Sequence, residues 1–179
     1  MVELFKADEL RKHIYPNKSG LLFCFGTSFI SKIIQAKTRQ HSYEQVPSHV
    51  AVVFNNYIYE STTEIVKINK KTIPSGVRRW LITDYLKSEK KKDTSYFFYP
   101  FIISLDTAES FVHYPYGKDI ILDYLLQDGS DGSKYGLICS QYANKVIGSP
   151  IKQEVVSPAE LFRWALSDSK DREMKGYTN

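Results

Sequence analysis

Residues 49–62, HVAVVFNNYIYEST, constrain the fold of this chain more than any other stretch. The runs over 50–54 and 57–61 are rich in Val, Ile and Tyr, which suit strands. Asn55-Asn56 lies between them, and Asn tolerates the positive φ that a two-residue hairpin turn needs. That turn fixes a register: Phe54 opposite Tyr57, Val53 opposite Ile58, Ala51 opposite Glu60, and His49 opposite Thr62. Because side chains alternate faces along a strand, His49, Ala51, Val53, Ile58, Glu60 and Thr62 share one face. Glu60 is then the diagonal neighbour of His49, at about 7–8 Å between backbones, within reach of a carboxylate and an imidazole. A three-residue loop would turn Glu60 to the other face.

The rest of the chain arranges itself around this hairpin. Residues 3–14 have a helical pattern on Leu4, Leu10 and Ile14, and 17–20 (NKSG) is a turn signal. The apolar run 21–25 has strand length. Ser28 is placed to cap a helix over 28–36. Further strands are expected over 66–68 and 77–82, a helical turn over 84–88, and a strand over 96–104 broken at Pro100. Residues 107–113 and 120–126 look helical, and 127–134 (QDGSDGSK) reads as a flexible loop. A helix over 137–147 is closed by Gly148 and Pro150. Ser157, Pro158 and Glu160 form a capping box that opens the last helix. The tail from about 167 is polar and is expected to fray. Helices first and last, with hairpin-linked strands between, give an α+β fold with an antiparallel sheet. The 179 residues fit one domain, with its core over about 19–165.

The formal charge of +4 is too small to argue for a nucleic-acid partner, and much of it sits in the run KSEKKK at 87–92, which reads as solvated surface. The N-terminal residues have neither an apolar core nor a small-residue cleavage site of the signal-peptide kind, so a cytoplasmic start is expected. A substrate outside the cell would then require delivery by a phage particle or by signal-independent secretion. No apolar run reaches the roughly 18–20 residues of a membrane span. No His, Cys and Asp cluster has metal-ligand spacing, and no cofactor is expected.

The chain has two cysteines, which are expected to be free thiols. Cys139 lies in YGLICSQYANKVIG, where Tyr142, Ala143, Val146 and Ile147 form an apolar helix face. This places Cys139 near a helix N-terminus, where the dipole and free N–H groups favour a thiolate and could hold an oxyanion. A buried structural cysteine is the plain alternative. Cys24, inside the run LLFCF, reads as core. His13 and His41 lie among polar residues and read as surface, and His113 has no evident partner. His49, at the mouth of an apolar strand, is the best placed base, with Glu60 to orient it. The plain alternatives there are a hydrogen-bonded strand-end histidine and a solvated strand carboxylate.

In chain order, SGLLFCFGTSFISKIIQAKT, SHVAVVF, YIYEST, YGLICSQYANKVIG and VSPAELF resemble the permuted branch of the NlpC-type papain-like hydrolases, and within it the YiiX-like group. Lecithin retinol acyltransferase-like proteins are more distant relatives. The resemblance spans roughly residues 19–165, and the order His49, Glu60, Cys139 matches it. It implies a circularly permuted papain-like fold with the sheet packed on the Cys-bearing helix. It also implies Cys139 as nucleophile, His49 as base and Glu60 as orienting residue. The implied activity is cysteine amidase or peptidase chemistry on a peptide, cell-wall or lipid-linked substrate. The alternatives are a lipid esterase or acyltransferase, and a non-catalytic binding module on the same scaffold. YiiX-like proteins often carry an export signal, which is not seen here. The long segment between the hairpin and Cys139 is where substrate selection is expected.

Overall fold

A strand that is apolar at nearly every position has to be covered on both faces. β1 (Ser19–Phe25) is such a strand, buried from Gly20 to Phe25, and it lies inside the sheet. The computed structural model describes residues 3–14, 18–68, 71–73, 75–87, 93–117, 137–153 and 155–174. In it, β1 pairs on one side with β2 (His49–Phe54) and on the other with β7 (Ser95–Pro100). β3 (Tyr57–Thr62) follows β2, and β6 (Gly76–Leu81) forms the far edge. The order β6-β3-β2-β1-β7 is antiparallel throughout. β4 (Val66–Ile68) and β5 (Lys71–Ile73) make a separate two-stranded ribbon. The chain is therefore α+β, as expected.

The alternation of β1 and β2 sorts the core into two clusters. Leu21, Phe23, Val50 and Val52 face α4 (Leu105–Ser110), α5 (Cys139–Val146) and α6 (Pro158–Met174), meeting Ala108, Tyr142, Ala143, Leu161 and Phe162. Leu22, Cys24, Ala51 and Val53 face α1 (Ala7–Ile14) and α3 (Ile82–Lys87), meeting Leu10, Ile14, Ile82 and Tyr85. The sheet is thus the middle of three layers. α2 (Phe29–Thr38) lies beside α6, and its isoleucines belong to neither cluster.

Several boundaries differ from the sequence reading, each for a tertiary reason. Residues 19 and 20 are not a turn but the start of β1, where Gly20 lies so close to β7 that a Cβ would sit 2.1 Å from the Tyr99 carbonyl oxygen. α1 begins only at Ala7, because Phe5 is drawn into a two-way backbone bridge with Tyr96. β7 ends at Pro100 instead of running to 104, and the next helix starts earlier, at Leu105, because Ser104 caps it. The helical turn expected over 84–88 begins at Ile82, directly after β6. The tail is not frayed from 167: α6 continues to Met174, with Asp168 accepting from the Tyr99 hydroxyl and from Arg172. The helix expected over 120–126 and the loop over 127–134 lie outside the described residues.

Candidate active site

The hairpin has the register its turn dictates. Asn55 takes a φ of 54°, and Phe54 pairs with Tyr57, Val53 with Ile58 and Val52 with Tyr59. The paired rungs stop there. Continued by one more bonded rung, the ladder would join Val50 to Ser61. Instead the Val50 N–H lies near the Cys139 sulfur and favours its charged form, and the Ser61 hydroxyl donates to the Leu137 carbonyl. The N-terminus of α5 is therefore wedged into a split between β2 and β3.

The split brings together side chains from opposite faces of the sheet. Cys139 is the first residue of α5 and belongs to the cluster beneath that helix. His49 shares its face with Ala51 and Val53, on the other side, but it stands at the strand end where β2 and β3 have parted. There its ring is near enough to the Cys139 sulfur for each group to shift the pKa of the other. Its Nε2 lies 2.8 Å from Glu60 Oε2, which leaves Nδ1 for the sulfur. All three residues singled out in the sequence are thus brought together, in the order Cys139, His49, Glu60.

Electrostatics favour an ion pair. Burial works against a charged His49, but the Cys139 sulfur and the Glu60 carboxylate outweigh it and raise its pKa to about 10. Burial likewise works against a charged Cys139. The His49 charge and the N–H groups of Val50 and Ser140 overcome it and hold the thiol below its ordinary range. The lowered thiol and the raised imidazole each favour the charge of the other, the direction of a thiolate–imidazolium pair. The sulfur sits at the positive end of the α5 dipole, beside first-turn N–H groups that have no acceptor within the helix.

Comparison with protein-family models, with curated proteins and with solved structures finds no match to the chain. The chemistry of the site rests on its own geometry.

Glu60 has no exposed surface. Its Oε1 accepts from Arg78 Nη2 at 3.1 Å, Arg78 Nε at 3.3 Å and Trp80 Nε1 at 3.1 Å. The Arg78 guanidinium also stacks on the Trp80 ring at 4.6 Å and donates to the Glu64 carbonyl at 2.7 Å. Sequence reasoning missed both residues. Their one local signal was an arginine and an indole within an otherwise strand-like run, and only the pairing of Glu60 with Arg78 across β3 and β6 gives it meaning.

Cys139 and His49 lie in a cleft of about 370 Å³ bounded by α2, the start of α6 and the end of β3. Tyr116 also lines it. Burial first and the Cys139 charge second hold its phenol above the ordinary range, so it remains a neutral hydroxyl. Cys24 is buried on the opposite side of the sheet, with its sulfur 3.6 Å from the Tyr85 hydroxyl, and it is remote from the cleft lining. His13, His41 and His113 are exposed. Among the described residues no group of three or more His, Cys, Asp or Glu side chains could hold a metal ion, and no helix is long and apolar enough to cross a membrane.

Proposed function

We propose that this protein is a cysteine hydrolase, on a permuted papain-like scaffold, that opens an amide bond through an acyl-enzyme on Cys139. The observation that carries the reading is the placement of Cys139 and His49 together in an open cleft, with His49 Nε2 2.8 Å from the buried Glu60 carboxylate. A structural cysteine has no use for a charged imidazole, two N–H donors and access to a cleft.

The thiolate attacks the scissile carbonyl carbon, and the carbonyl π pair moves to oxygen, where α5 N–H groups receive it. The tetrahedral intermediate collapses, the C–N bond breaks, and the His49 imidazolium gives its proton to the departing amine. His49, now neutral, takes a proton from water as the water attacks the thioester. The C–S bond breaks, which releases the acid and restores the ion pair. Glu60 holds the ring orientation throughout and offsets its charge.

The test is iodoacetamide labelling of Cys139 across pH, read by peptide mass, in the wild type and in His49→Ala. Labelling well below the free thiol value of about 8.5, slowed by His49→Ala, supports the pair. A Cys139 that is inert in the folded protein, or indifferent to His49, removes the nucleophile and leaves a binding module.

A further inference from the structure

A surface helix ordinarily turns its apolar stripe to the core. α2 does not. Ile30, Ile33 and Ile34 recur at helical spacing, yet Ile30 is 63% exposed and the other two are half-buried, and none packs against either core cluster. All three line the cleft that holds Cys139. The helix is secured instead by polar bonds near its ends. Ser28 caps its first turn through the Ser31 N–H, Gln35 Nε2 donates to the Gly26 carbonyl, and Arg163 donates to the Thr38 carbonyl while paired with Glu44. Anchored this way, α2 keeps its isoleucines free for whatever enters. Val155 and Ile138 extend the same apolar lining.

Charge narrows the occupant further. Among the described lining residues there is no Lys or Arg. Among these described residues the charged groups are His49, matched by Cys139 and Glu60, and Glu64, paired with Arg78. Among the described lining residues, a chain bearing carboxylates, as cell-wall peptides do, finds no lysine or arginine to pair with, and Glu64, already paired with Arg78 at 3.6 Å, offers it no positive charge.

We infer that the cleft takes a substrate whose scissile carbonyl is flanked by an uncharged aliphatic chain, laid along Ile30, Ile33 and Ile34 of α2. The inference rests on Cys139 as the nucleophile and specifies what that nucleophile is offered. A cleft of about 370 Å³ is of small-ligand size.

The test uses Cys139 itself and needs no turnover. The full-length protein is alkylated with iodoacetamides carrying N-ethyl, N-butyl and N-hexyl chains, and with N-(5-carboxypentyl)iodoacetamide as a charged counterpart of the longest. Each rate is read from the mass of the Cys139 peptide. Burial of a methylene favours binding by up to about fourfold, so the hexyl reagent should outrun the ethyl one by about tenfold or more. The carboxypentyl reagent should lose that gain. Ile33→Ser should shrink the hexyl-to-ethyl ratio, and so should Ile30→Ser, a surface change that leaves the core intact. Equal rates for ethyl and hexyl, a carboxypentyl rate matching hexyl, or a ratio untouched by both substitutions would each overturn the inference. In those cases the reactive thiolate would stand, since the short reagents still label it. Inertness of Cys139 to every reagent would overturn the nucleophile and the inference together.

Discussion

A carboxylate with no exposed surface keeps its charge only when donors replace the water it has lost. Glu60 has such donors from His49, Arg78 and Trp80, and the Tyr85 and Tyr96 phenols that also face it are kept protonated, chiefly by burial. Arg78 therefore acts on the thiolate through two intermediaries, as a positioning residue. Replacing it with Met should cost about 3–5 kcal/mol in urea unfolding, the usual consequence of stranding a buried charge. It should also move the acid limb of Cys139 alkylation upward, toward a free thiol. Glu60→Gln should shift the same limb and lower hydrolysis by about 10²–10⁴-fold. In the Glu60→Gln background, Arg78→Met should leave the limb where it is, and any further shift would mean that Arg78 acts by another route. The pair also sets a pH window. The Cys139 pKa is lowered and that of His49 is raised to about 10. Hydrolysis should rise with pH through the lowered thiol value, then fall through about pH 10 as the imidazolium that protonates the leaving amine is lost. Alkylation, which needs only the thiolate, should not fall there. A hydrolysis profile still rising at pH 10 would remove His49 as the acid.

At the scale of elements, the split between β2 and β3 makes the site. Ser61 closes it by donating to the Leu137 carbonyl just ahead of α5. Ser61→Ala should cost about 1 kcal/mol of stability and slow Cys139 alkylation, because α5 would no longer be held at the height of His49. Unchanged alkylation would show that the helix is seated without the Ser61 bond. The hairpin and its register were legible in the sequence, since a two-residue Asn-Asn turn and strict alternation leave few choices, and His49 and Glu60 meet across it. The wedge was not legible. It joins residues 49–61 to residues 137–139, and no local pattern in either segment announces that a ladder will open to admit a helix. The place of α2 was hidden in the same way: a capped helix was expected there, but only the structure shows its isoleucines lining the cleft.

The whole molecule is held by helices on both faces of one sheet, and the site depends on the face it does not occupy. Leu10 of α1 is fully buried among Leu22, Cys24 and Val53, on the side of the sheet opposite α5. Leu10→Ala should cost about 2–5 kcal/mol. Cys24 offers the readout: buried beneath α1 and α3, it should resist iodoacetamide until the layers part, while Cys139 reacts in the native state. Its labelling should accelerate about tenfold for each 1.4 kcal/mol lost in the variant. Rapid native labelling of Cys24 would show that the two layers open independently of global unfolding.

The sequence by itself determined what short-range physics can fix: the α+β class, the hairpin register with His49 and Glu60 on one face, a helix with Cys139 near its N-terminus, and the capping box at Ser157. Each follows from alternation, turn chemistry or capping within a dozen or so residues. The tertiary structure alone decided that Cys139 reaches His49 through a gap in the sheet, that Arg78 and Trp80 hold Glu60, and that α2 faces the cleft. These depend on strand order and on which ladder opens, and both are settled by packing between segments far apart in the chain.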